Sequence, residues 1–308
     1  MIDLIGKRYW FFAISGLVII PGLVSLLLFG LKPSIDFTGG TLWEMTKFEK
    51  PVDVAAVRGV FALNGIGDVA LQTSEKGKEQ GLLIRSKHID PQTKAAIEVQ
   101  LKEPLGSYTE LRFESVGPTV GQEVTQRAQM AVGLACVGIL IYISWAFRKV
   151  PNPLRYGACA FIALLHDVVV VLGVFSILGV AFGIEIDALF LTALLTGPIG
   201  FSVHDTIVVF DRIRENVNKY PGETFERVVN HSLLQTLGRS ISTSLTVVFT
   251  LSALFLFGGV TIRYFVLAML VGIVTGTYSS IFNASPLLVV WENGEIGKAW
   301  RRLRGRTA

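Results

Sequence analysis

Apolar residues gather into six runs along this chain, near Trp10–Leu31, Gln129–Phe147, Arg155–Val180, Asp187–Phe210, Ser240–Phe257 and Tyr264–Trp291. A hydrocarbon layer roughly 30 Å thick needs about 20 apolar residues of helix to cross it. Lipid offers no partner to a free backbone amide or carbonyl, so runs of this kind are expected to be helical. The first run follows Lys7 and Arg8, as the core of a signal peptide does. It is too long for such a core and no small-x-small cleavage site follows it, so it reads as an uncleaved anchor.

Between the first two runs the pattern changes to short alternating stretches. Ile35–Phe48 opens on Thr38-Gly39-Gly40 and then alternates apolar with polar residues, which predicts a strand. Val52–Leu63 has helical spacing after Pro51. Asp68–Thr73 and Leu82–Ser86 read as strands around a charged turn, Pro91–Leu101 as a helix and Thr109–Val116 as a strand. The order β-α-β-β-α-β predicts a ferredoxin-like sandwich. The expected architecture is therefore a membrane α-helical protein of six transmembrane helices, with one α+β ferredoxin-like extracytoplasmic domain between helices 1 and 2. Gly39 and Gly40 read as a turn where strand meets membrane rather than as a binding loop.

Composition agrees with that picture. Of 308 residues, 51% are hydrophobic and 17% charged, against about 25% charged in an ordinary soluble domain. Two cysteines, Cys136 and Cys159, exclude a disulfide framework or a cysteine zinc ribbon, and both read as buried packing. The segment 32–126 holds 11 Lys and Arg against 13 Asp and Glu. The other 17 basic residues are sharply partitioned. Fifteen of them, including Lys7, Arg8, Arg148, Lys149, Arg155, Arg212, Arg214, Arg239 and the tail residues Lys298, Arg301, Arg302, Arg304 and Arg306, lie on one side of the runs, and only Arg127 and Arg263 on the other. The positive-inside rule then puts both termini in the cytoplasm and 32–126 outside. The chain divides into 1–31 (N-terminus and helix 1), 32–126 (outer domain), 127–291 (helices 2–6) and 292–308 (basic cytoplasmic tail). That tail reads as an orientation signal near anionic membrane lipid, and no nucleic acid is expected as a partner.

Candidate chemistry lies at membrane depth, where ionisable groups are costly. Asp167 follows His166 in the third run. Twelve residues of helix above Arg155, about 18 Å, bring it near the midplane. Asp205 follows His204 and lies six residues above Asp211, about 9 Å into the core. Arg239 begins the fifth run on the same side. It either snorkels to the interface or reaches Asp205, whose proton affinity would then depend on the cation. Thr243, Ser244 and Thr246 either extend this relay or bond only their own backbone. Two His-Asp pairs also invite a metal site, but adjacent residues point about 100° apart on a helix, so no metal is expected. The Gly-x-Gly-Asp signature of an intramembrane aspartyl protease is missing, and nothing else indicates an enzyme.

Several segments carry a family resemblance. In order they are Ile35-Asp36-Phe37-Thr38-Gly39-Gly40, Val116-Gly117-Pro118, Ala163-Leu164-Leu165-His166-Asp167, Asp205-Thr206-Ile207-Val208-Val209-Phe210-Asp211-Arg212-Ile213-Arg214-Glu215-Asn216, Gln235-Thr236-Leu237-Gly238-Arg239-Ser240 and Gly276-Thr277-Tyr278-Ser279-Ser280-Ile281-Phe282. The chain resembles the SecF family of the RND superfamily, subunits of the SecDF protein-translocation accessory complex. The resemblance covers nearly the whole chain. It implies pairing with SecD in pseudo-symmetric halves, work beside the SecYEG channel on a translocating preprotein, and a prokaryotic cytoplasmic membrane. It implies that the proton-motive force drives the work, with protons as the coupling ion and no resident cofactor. It assigns Asp205 and Arg239 to the proton pathway, with His166 and Asp167 also matching. Phe201 and His204 depart from the tyrosine and asparagine common in the family. Asn283 is a polar intrusion in the last span. The rival expectations are an RND-type small-molecule or lipid exporter, a structural scaffold, and a metal transporter.

Overall fold

The computed structural model describes residues 2–76, 79–148, 150 and 152–295. Lys149 and the basic residues of the tail from Lys298 to Arg306 lie outside the described residues. The chain divides into two compact units, Pro33–Gln129 and Met1–Lys32 with Met130–Ala308.

The first long helix, α1, spans Arg8–Phe29. In the unit that follows it, β1 spans Gly40–Thr46, α2 Val54–Leu63, β2 Val69–Lys76, β3 Glu79–Ser86, α3 Pro91–Leu105 and β4 Thr109–Val116. All pairings are antiparallel and the sheet order is β2-β3-β1-β4, that of the ferredoxin-like sandwich. Period-two alternation puts Trp43 and Met45 of β1 on one face, in register with Ile84 and Leu82 of β3. Val57 and Phe61 of α2 and Ile97 and Leu101 of α3 close the same core. The helices start where the sequence caps them: Asp53 accepts from the amides of Ala55 and Ala56, and Asp90 from those of Gln92 and Thr93.

The strand expected over Ile35–Phe48 is corrected at its start. Ile35–Thr38 forms one helical turn capped by Ser34, and the strand begins at Gly40. Gly39 and Gly40 make that reversal at φ of 72° and 129°, values that L side chains rarely adopt. A Cβ on Gly39 would lie 2.9 Å from the Pro118 Cα. The glycine pair is a tight turn packed against the start of the next helix.

That helix, α4, runs Pro118–Ala146. It begins well before the apolar run because its first turns pack on the β unit, where the Thr125 hydroxyl donates to the Phe37 carbonyl. The remaining long helices are α5 (Pro153–Phe182), α6 (Ala188–Lys219), α7 (Phe225–Phe257) and α8 (Arg263–Glu292). With α1 and α4 they make six described helices long and apolar enough to cross a membrane. Both α6 and α7 extend beyond their apolar runs.

Two features set the bundle's geometry. Small residues bring backbones together: a Cβ on Gly22 of α1 would lie 3.0 Å from the Gly173 Cα of α5, and Ser25 and Ser176 hydrogen-bond nearby at 2.8 Å. Two helices also carry wider π turns, Leu195–Phe201 in α6 and Ser280–Ala284 in α8. Pro198, which has no amide hydrogen to donate, lies inside the first. Such turns recur at functional sites.

Candidate functional site in the helix bundle

Asp167 is brought inside the bundle by α5, with 0% of its surface exposed. Its Oδ2 accepts hydrogen bonds from the Ser202 hydroxyl of α6 and the Ser279 hydroxyl of α8, both at 2.6 Å. Its Oδ1 lies 2.9 Å from Nδ1 of His166. Nε2 of the same ring is buried without a hydrogen-bond partner among the described residues. The His166 ring faces that of Tyr278, whose hydroxyl donates to the Phe11 carbonyl of α1. A carboxylate removed from water must have its lone pairs satisfied, and three helices contribute to that here.

Asp205 lies one turn further along α6 than Ser202 and is 4% exposed. Its Oδ1 accepts from the Ser240 hydroxyl of α7 at 3.2 Å, while Oδ2 is buried with no hydrogen-bond partner among the described residues. Thr206 continues the polar seam, donating to the Ser280 hydroxyl of α8 at 2.9 Å. The two acids therefore flank the same stretch of α6, one held from α5 and α8, the other from α7.

The remaining predicted residues are not drawn into this core. Arg239 and Ser240 are neighbours on α7, about 100° apart around its axis. Ser240 takes the inward position and Arg239 is exposed. Among the described residues no ion pair joins Arg239 to Asp205, although Arg239 and His204 both lie within electrostatic reach of it. His204 is likewise exposed beside its buried neighbour. The Thr243 hydroxyl donates to the Arg239 carbonyl and that of Thr246 to the Ser242 carbonyl, within their own helix. Ser244 pairs instead with Thr277 of α8 at 2.6 Å. His204 completes an exposed row on α6 with Thr192, Thr196 and Gly200, and Arg239 one on α7 with Thr243, Thr246 and Thr250. Asn283 accepts from the Ser15 hydroxyl at 2.9 Å and so ties α8 to α1. Among the described residues no three His, Cys, Asp or Glu side chains cluster as a metal site would require.

Reasoning from the sequence missed Ser202, Ser240 and Ser279, the groups that actually touch the acids. Serine is common and often self-bonded in apolar helices, so type alone does not single these out. The available signal was spacing: Ser202 precedes Asp205 by one turn.

Six helices long and apolar enough to cross a membrane, two buried carboxyls among them, and a ferredoxin-like unit inserted after the first helix define a polytopic membrane protein with ionisable groups inside its bundle. The family model for the protein export membrane protein SecD/SecF, C-terminal, matches residues 96–294, and that for the SecD/SecF GG motif matches 24–46. The protein translocase subunit SecF of Thermobaculum terrenum is 55% identical over 100% of this chain and 99% of its own. That of Anaerolinea thermophila is 50% identical over 98% and 96%. The crystal structure of SecDF from Thermus thermophilus superposes with a TM-score of 0.77 at 33% identity. It matches 95% of this chain, which spans 39% of that longer one. The chain belongs to the SecD/SecF family of protein-export membrane proteins, on its SecF side, and is a multi-pass membrane protein.

Proposed function

We propose that this chain is the SecF half of a proton-driven export complex in a prokaryotic cytoplasmic membrane. SecD is its pseudo-symmetric partner, both termini face the cytoplasm, and the β unit stands outside, where it works on a preprotein leaving the SecYEG channel. Protons are the coupling ion, and the chain needs no resident cofactor. The observation that carries this reading is Asp205, a shielded carboxyl with one oxygen unpartnered, beside an exposed face that bears His204 and Arg239. A cation and an imidazole facing hydrocarbon are expensive, so that face fits a polar partner helix better than lipid. Once covered, Arg239 is shut off from water on the side of Asp205, and loss or gain of a proton there alters its pairing. His204 and Thr243 line the same path, whereas Ser244 steadies α7 against α8. The His166–Asp167 pair serves the same coupling. The test is export by sealed vesicles carrying the complex. Asp205→Asn is expected to abolish the proton-dependent part while SecD still co-purifies. Undiminished export would overturn the assignment.

A further inference from the structure

Ser202 is the first residue after the π turn of α6, and Ser279 the last before the π turn of α8. Both hydroxyls converge on the same oxygen of Asp167. We propose that Asp167 is a second proton-binding site, and that Ser202 and Ser279 are positioning residues through which its charge sets the packing of the two π turns and the presentation of Asp205. This rests on the proton-coupled reading above.

The hydrogen-bond inventory shows how the site switches. As a carboxylate, Asp167 is an acceptor only, and the hydroxyl protons of Ser202 and Ser279 both point at Oδ2. A proton arriving on Oδ2 makes that oxygen a donor, so one hydroxyl must turn round to accept. Ser279 has somewhere to send its own proton, since the Gly276 carbonyl lies 3.2 Å away. For Ser202 no second acceptor is present among the described contacts. Ser279 is therefore the group that reorients and Ser202 the one that stays. The joint is close-packed: a Cβ on Gly276 would lie 2.7 Å from the Cβ of Ser202, so α6 and α8 have no slack to absorb a change between them. Asp205 follows one turn later on α6 and moves with Ser202. The titratable groups beside Asp167 are His166 on α5 and, against the His166 ring, Tyr278 on α8; His204 of α6 and Arg239 of α7, both exposed, neighbour Asp205 instead.

The experiment is infrared difference spectroscopy, acid minus alkaline, on the complex with SecD in sealed vesicles, with export measured on the same preparations. Two carboxylic-acid C=O bands are expected, one lost in Asp167→Asn and the other in Asp205→Asn. Ser202→Ala keeps the Cβ that packs on Gly276 and leaves both acids in place. It should move the midpoint of the Asp167 band by about one pH unit, the worth of one hydrogen bond to a charged group, and displace the Asp205 band as well. Ser279→Ala should move the Asp167 midpoint less. If Asp167→Asn fails to assemble, Ser202→Ala and Asp167→Glu still decide the matter. A single band that vanishes in Asp205→Asn and ignores Ser202→Ala would overturn the proposal and leave Asp167 a fixed structural carboxyl. Export that survives Asp205→Asn, with both bands present in the parent complex, would instead count against the wider proton-coupled reading.

Discussion

In the unit Pro33–Gln129 the fully buried side chains include Trp43, Met45, Phe61, Ile84 and Ile97, while its carboxylates Asp53 and Asp90 stand at the surface as helix caps. In the bundle the fully or almost fully buried set includes Asp167, Ser202, Ser279, Ser280 and Ser285, and large apolar residues such as Trp10, Leu27, Leu134 and Phe249 are exposed. The inversion follows from solvent. Water rewards apolar burial by roughly 25 cal/mol per Å², so the β unit is held by what it hides from water. Lipid gives no such reward for bringing apolar helices together, and the bundle relies on close backbone approach and on hydrogen bonds between polar groups. Burial of apolar side chains is thus the main fastening of the first unit, and hydrogen bonding between buried polar groups that of the second.

The largest expected effect breaks the two regions apart by function. Arg239→Gln should reduce proton-dependent export to background, while leaving thermal stability of the bundle within about 0.5 kcal/mol, as for other exposed substitutions. A collapse of stability instead would make Arg239 a structural group. Next is Trp43→Ala. It removes a fully buried indole whose Nε1 donates to Glu110 at 2.8 Å, and should cost the β unit about 3–5 kcal/mol, read as a low-temperature phase in thermal unfolding with the bundle transition unmoved. A single transition shifted downward as a whole would show that the two units do not unfold separately.

Gly173→Val sharpens the comparison from the other side. It forces a side chain against Gly22 and should cost the bundle about 1–3 kcal/mol, read as earlier thermal aggregation in detergent. Tolerance would mean that α1 is free to move away from α5. Smaller still is Asp90→Ala. Backbone and hydroxyl hydrogen bonds from Thr93 hold the Asp90 carboxyl below the usual carboxylate range. Its contribution is therefore present above the unfolded value, about 3.9, and disappears as pH falls through the lower folded value. The variant should be less stable than the parent near neutral pH and indistinguishable from it in strong acid. A difference that persists in acid would refute a charge-linked cap. Smallest is Thr243→Val, expected to change bundle stability by less than about 0.5 kcal/mol because its exposed hydroxyl donates within its own helix, to the Arg239 carbonyl.

Much of the fold was legible along the chain. Membrane length and alternation are local properties, so the six spans, the β-α-β-β-α-β order and the helix start at Pro91 follow from neighbours in sequence. Where the pattern misled, a distant contact was responsible. The first strand starts late because Gly39 turns against Pro118, and α4 starts early because it packs on Phe37. The acids Asp167 and Asp205 stood out because a charge in an apolar run needs no partner to be conspicuous. Their serines did not, since a hydroxyl acquires meaning only from the helix opposite.

Residue order alone therefore determined that the chain crosses a membrane six times, that it carries an α+β unit after its first crossing, and that two carboxyls stand within its apolar runs. Which hydroxyls hold those carboxyls, which of two adjacent residues at 239 and 240 points inward, and where α6 and α8 widen into π turns were decided only by tertiary packing. Hydropathy is a sum over neighbours on the chain. A hydrogen bond between helices depends on rotation about each helix axis, which only the assembled bundle fixes.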